Sequence, residues 1–151
     1  MKDNALAEVK RCREDFEYFA KRWLTIIDMR GKERKLVLKP AQKILLEKCK
    51  EHSDVCVLKG RKMGSSTVIS AWFTWMANFR PNTRVLVLAH TDKSARNIFK
   101  IYKRFFKSLP PEMTHPIVQS NLEEILLENG SWLRVVSASS ESARGTDADL
   151  I

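Results

Sequence analysis

The residues best suited to chemistry form one short basic stretch: Lys59-Gly60-Arg61-Lys62-Met63-Gly64-Ser65-Ser66-Thr67. Glycines bound a cationic turn, and hydroxyl residues follow at the start of an apolar segment. This is the composition of a loop that receives a phosphate group at a helix start, where backbone amides and the helix dipole both favour an anion. The usual phosphate-loop pattern is G-x-x-x-x-G-K-[ST]. Aligned on Gly64, the usual lysine position holds Ser65 and the usual first glycine is Lys59, so the strict pattern fails.

The physical requirement can be met another way. An ammonium on a flexible four-carbon stem can reach phosphate oxygens from more than one anchor point. Lys59 stands at the mouth of the loop and can reach across it. Gly64 permits close backbone approach. Ser66 or Thr67 can offer a hydroxyl to Mg²⁺. Arg61 carries a planar fork suited to phosphate oxygens. The competing account is a basic strand-to-helix turn with no ligand.

The loop needs a strand before it and a helix after it. Val55-Cys56-Val57-Leu58 is an apolar run that reads as the strand. From Ser65 to Phe79 the sequence is apolar on most sides (Val68, Ile69, Ala71, Trp72, Phe73, Trp75, Met76), which reads as a buried helix. Trp72 and Trp75 stand at core spacing and read as packing. Arg80-Pro81-Asn82 ends the helix. Arg84 to Ala89 reads as a second strand covered on both faces.

Thr91 or Asp92 is a good helix cap. The helix after it buries Ala95, Ile98, Phe99, Tyr102, Phe105, Phe106 and Leu109. Its opposite face carries Arg96, Lys100, Lys103 and Lys107, read first as solvated cations and second as a DNA track. Pro110-Pro111 stops this helix. Two strand-like runs, 122–128 and 132–137, flank Asn129-Gly130, a hairpin signal. Residues 138–149 read as a polar loop, and Leu150-Ile151 as the start of another strand.

Upstream, Phe16, Phe19, Ala20, Trp23, Leu24 and Ile27 share one helical face. A turn follows at Asp28–Lys32, then a short extended stretch, Lys35 to Leu38. Pro40 opens another helix with Ala41, Ile44, Leu45 and Cys49 on one side. The alternation of strand, loop, helix, strand and helix implies an α/β fold with a mostly parallel sheet and helices on both faces.

The bulk numbers agree with one globular unit. The chain has 151 residues, 44% hydrophobic and 30% charged. Its 27 basic and 18 acidic residues give a formal charge of +9, which points to a polyanionic partner, nucleic acid before anionic membrane. Cys12, Cys49 and Cys56 form no C-x-x-C pair, so they read as reduced thiols rather than a zinc or disulfide framework. His52, His90 and His115 lack ligand spacing. No apolar run approaches the roughly 20 residues of a membrane span, and the charged N-terminus does not read as a signal peptide.

Val57 to Thr67 resembles the variant Walker A segment of phage terminase large subunits, many of which show a Lys-x-Arg-x-x-Gly-x-Ser/Thr-Thr form. Upstream, Tyr18-Phe19, Ile26-Ile27-Asp28, Gly31, Leu38, Pro40 and Gln42 look like that family's lead-in, which ends in Pro-x-Gln. Downstream, the strand 85–89 with Thr91 and Ala95 looks like its second strand and helix. Asn129-Gly130-Ser131 and Ala143-Arg144-Gly145-Thr146 look like its hairpin and Arg-Gly loop, although Arg144 reads equally as a plain turn residue. The resemblance covers nearly the whole chain, in order.

The resemblance implies a P-loop (RecA-like, additional-strand) ATPase that drives double-stranded DNA into a capsid, with a nuclease domain following. It implies a lead-in segment at 1–53 and a partial ATPase core at 54–151. ATP and Mg²⁺ are the implied cofactors. Gln42 would read adenine, Lys59 would be the phosphate lysine, Arg61 the loop arginine, and Ser66 the metal-side hydroxyl. Gly60, Lys62, Met63, Gly64, Ser65 and Thr67 complete the cradle. For Gln42 the plain alternative is an exposed first-turn helix residue.

Two departures stand out. Lys62 occupies a position where the family often has glutamine. Leu150-Ile151 would begin the apolar strand that ends in the family's Walker B Asp-Glu, and no Asp-Glu follows. The expectation is therefore a chain that binds ATP-Mg weakly at most and does not turn it over alone, and in which Glu123, Glu124 and Glu128 do not substitute. The further strand would belong inside the sheet, leaving apolar edges unpaired here. Implied partners are double-stranded DNA, a portal protein and a small terminase subunit, with a homo-oligomer in the complete protein, in the host cytoplasm and without a membrane. Two rival readings stay open: a helicase-like ATPase fragment, and a non-catalytic basic DNA-binding module.

Overall fold

The computed structural model describes residues 2–28, 30–60 and 62–138. Two helices open the chain: α1 (Lys2–Glu14) and α2 (Phe16–Trp23). Asp15 caps α2, its carboxylate accepting from the Tyr18 amide at 2.9 Å. The helix ends sooner than the apolar spacing implies. Leu24 is its extended C-cap, and Ile27 falls in strand β1 (Thr25–Ile27), antiparallel to β2 (Glu33–Lys35). β-branched Thr25, Ile26 and Ile27 favour the extended chain. Asp28 closes the hairpin by accepting from the Arg30 and Lys32 amides at 2.8 and 3.0 Å.

Helix α3 (Pro40–Glu51) begins with proline at its first position, after an extended Lys39 with ψ 156°. Its inward face differs from the expected one: Gln42 and Leu46 are buried, whereas Ile44 is exposed.

Helix α4 (Ser65–Phe79) is the buried helix that its composition demands. Its far end is pinned by several polar contacts. The Asn78 amide donates to the Met113 carbonyl at 2.7 Å, and the Asn129 amide donates to the Ala77 carbonyl at 2.9 Å. Ser131 Oγ donates to the Arg80 carbonyl at 2.9 Å and accepts from the Thr83 amide at 3.0 Å. These bonds satisfy groups that burial would otherwise leave costly.

Strand β3 (Arg84–Ala89) and helix α5 (Asp92–Ser108) follow. Thr91 is the cap of α5, its hydroxyl accepting from the Ser94 amide at 3.2 Å. Ala95, Phe99, Tyr102, Phe105 and Phe106 are buried as their spacing requires, and Arg96, Lys100, Lys103 and Lys107 lie on the exposed side. A 3₁₀ turn at Pro111–Met113 leads to β4 (Ile117–Ser120), β5 (Glu124–Leu127) and β6 (Trp132–Ser137).

The larger sheet has the order β3-β6-β5-β4. Only β3 and β6 run parallel, from Arg84↔Trp132 to Ala89↔Ser137; the other two pairings are antiparallel. The sheet is therefore mixed, not mostly parallel. The reason lies in the Asn129-Gly130 turn, which folds β6 back on β5, and β4 extends the meander. In that turn Gly130 takes a left-handed φ of 80°, with its amide donating to the Leu127 carbonyl at 3.0 Å. Glu128 and Asn129 thus occupy the turn's centre and Gly130 the bulge.

The main correction concerns 54–60. This segment, expected to contribute a strand at Val55–Leu58, has no regular secondary structure and joins no ladder among the described residues. Its apolar side chains are exposed. β3 is the outer strand of the sheet, and among the described residues no strand pairs with its free edge. Without a neighbour to bond its backbone, an apolar run does not become a sheet strand.

Candidate functional site

The basic loop enters from the exposed 54–60 segment. Lys59 and Gly60 lie in solvent, and a Cβ on Gly60 would meet nothing within 4 Å. Arg61 lies outside the described residues. Lys62 is exposed with φ 64°, and Gly64 has φ 74° and ψ 17°. Two left-handed residues thus flank Met63. Glycine adopts that conformation freely; lysine does so only where its surroundings hold it there.

Gly64 is the N-cap of α4, and its carbonyl accepts from the Val68 amide at 3.0 Å. It brings no side chain to cap the helix, and the first turn holds no acidic residue. The amides of Ser65, Ser66 and Thr67 therefore sit at the positive end of the dipole with no capping side chain. Ser65 and Thr67 are half-buried and Ser66 is exposed. Ser65 and Ser66 also line a cavity of about 490 Å³, whose other walls include Val57, Val87, Leu88 and Tyr102. The Tyr102 hydroxyl and Trp72 Nε1, both buried, have no hydrogen-bond partner among the described residues. Burial pushes the Tyr102 phenol up from its ordinary value, and nearby Ser70 offsets only part of that.

Gln42 is brought to the loop from α3. It is 7% exposed, so the exposed first-turn alternative does not hold. Its Oε1 accepts from the Lys39 amide at 3.0 Å, the glutamine arm of a capping box. Its Nε2 donates to the Met63 carbonyl at 3.0 Å. Sequence reasoning singled out Gln42 and the loop, but it did not foresee that they touch. The Pro40-to-Gln42 spacing, with glutamine at the third helical position, was the available sign of the cap.

The remaining acidic and basic candidates stand apart from this loop. Glu124 pairs with Arg134 at 2.7 Å across β5 and β6, and Lys103 Nζ lies 4.9 Å from the Phe99 ring centre. Among the described residues no group of three or more His, Cys, Asp or Glu could hold a metal ion. None of the described helices is long and apolar enough to cross a membrane.

The geometry defines an α/β protein with a cationic, glycine-capped loop at the uncapped start of a buried helix. A family model described as "Terminase large subunit, T4likevirus-type, N-terminal" matches residues 56–151, from just before the loop onward. The chain belongs to this family of terminase large subunits, and so to the proteins of phage DNA packaging.

Proposed function

We propose that this chain is the nucleotide-holding part of a packaging ATPase, with the P-loop (RecA-like) fold that the resemblance implies. The observation that carries the reading is Gly64. As a left-handed N-cap it leaves the start of α4 without a side-chain cap, next to cationic side chains and within the family-matched segment. A triphosphate fits this chemistry: α4's first amides and dipole would face its oxygens, and Lys59, Arg61 and Lys62 would neutralise its charge. Gly60, Met63 and Gly64 form the backbone of the cradle, with Ser65 and Thr67 beside it. Ser66 would give one oxygen to Mg²⁺, the phosphates and waters supplying the rest. Bound MgATP would supply the free energy of phosphoryl transfer; the residues described hold and orient it.

In this reading 1–53 is a lead-in that carries Gln42 to the loop, and 54–151 belongs to the ATPase core. The implied partners are double-stranded DNA, a portal protein and a small terminase subunit, in the host cytoplasm.

The test is titration of the chain with MgATP and with Mg-tripolyphosphate, by calorimetry. Lys59→Ala should weaken both at least tenfold, the order expected for losing a hydrogen bond to a charged group, with the melting temperature unchanged. Equal affinity in wild type and variant would sink the assignment. Salt-sensitive DNA binding that no nucleotide alters would instead favour a plain basic DNA-binding module.

A further inference from the structure

We infer that Gln42 is a positioning residue: its side-chain amide braces the basic loop against the start of α3 and so holds Gly64 and the first turn of α4 in place. This rests on the phosphate-holding reading of the loop, and it assigns Gln42 a task that does not depend on the base of a nucleotide.

Three observations converge on it. First, the amide spans two elements 21 residues apart in sequence, accepting from the Lys39 amide with one end and donating to the Met63 carbonyl with the other, each at 3.0 Å. Second, Met63 lies between Lys62 at φ 64° and Gly64 at φ 74°. A non-glycine residue in that region persists only where neighbouring structure over-determines it, and the bond to the Met63 carbonyl is such a hold. Third, a Cβ built on Gly64 would lie 2.8 Å from Gln42 Nε2. The tip of the amide sits where a side chain at 64 would start, so any other residue there would displace the glutamine as well as adopt a positive φ.

The brace matters because α4 lacks a side-chain cap. A capping side chain would fix the first turn but cover its amides. Fixing the loop from Gln42, through a carbonyl outside the helix, leaves those amides uncovered. The Lys39 bond in turn fixes the glutamine, because it ties Oε1 to the rigid start of α3.

Two variants of the 151-residue chain separate this role from base reading. Gln42→Glu keeps an acceptor for the Lys39 amide and loses the donor to Met63. Hydrogen exchange without nucleotide should show the Val68 amide, the first bonded within α4, opening about fivefold faster, the factor for one net hydrogen bond. Exchange in α3 should be unchanged, which also reports that the variant is folded. Gln42→Met keeps the size and neutrality of the side chain and removes both bonds. It should weaken MgATP, MgGTP and Mg-tripolyphosphate by the same factor, again about fivefold.

A loss confined to MgATP would overturn the proposal and make Gln42 a reader of adenine. Unchanged Val68 exchange in both variants would overturn it too. If wild type binds none of the three anions, the phosphate-holding reading fails, while the exchange measurement still decides whether the brace exists.

Discussion

Val85-Leu86-Val87-Leu88 and Val55-Cys56-Val57-Leu58 are nearly the same apolar sentence written twice, and the molecule treats them differently. The first is β3, in register with β6, with Val85 fully buried and Leu86 at 3% exposure. The second has no regular secondary structure and joins no ladder, with Val55 at 38%, Val57 at 46% and Leu58 wholly exposed. Local propensity is equal in the two. The difference is a partner: β3 has β6 beside it and α4 and α5 against it. Even β3 shows the limit of its cover, since Leu88 on the outer strand is 46% exposed. Extended propensity is a request for hydrogen-bonding neighbours, and tertiary structure decides whether it is met.

Substitutions can break or sharpen this contrast. The largest effect should come from Leu133→Ala, which truncates the buried partner of Val85 and should cost about 2–5 kcal/mol in urea unfolding. Val85→Ala should cost about 2 kcal/mol, two methyl groups plus a cavity. A smaller, pH-bound effect belongs to Tyr102. Its folded phenol is raised above its ordinary value of 10.0, so the unfolded chain releases the proton first. Stability is therefore whole below that pH and falls above it, by up to about 1.4 kcal/mol per pH unit. Tyr102→Phe should remove that part of the alkaline loss while leaving neutral stability nearly unchanged, because the hydroxyl has no bonded partner among the described residues. The smallest effect should be Leu58→Ala, within about 0.5 kcal/mol. A loss there as large as at Val85 would show that 55–58 is packed in solution and would erase the contrast.

Much of the fold was legible because its signals are local. The cap at Thr91, the period of α5, the all-round apolar α4 and the Asn129-Gly130 hairpin each act over a few residues. The sequence also located the loop, since glycine and hydroxyl residues at a helix start carry their chemistry with them. What escaped depends on distant partners. Ile27 continues the helical spacing of α2 but lies in β1, because spacing does not register where β-branched residues take over. Ile44 was expected inside, yet Gln42 turns inward in its place, drawn by two hydrogen bonds that no apolar pattern encodes. β4 is exposed throughout and has no alternation to read; it exists through its pairing with β5. The mostly parallel sheet failed for the same reason, since strand direction is set by connections and not by composition.

The unequal ends of α4 have a temporal consequence. One end is anchored by Asn78, Asn129 and Ser131; at the other, among the described residues, the Gln42 amide reaches across from α3 to the Met63 carbonyl, just before the glycine cap. Opening should therefore run in one direction, beginning at the loop and dying out toward Phe79. An anion settling on the loop would act as a latch on the looser end, slowing the first turn's opening while leaving the rest of the helix to its own clock.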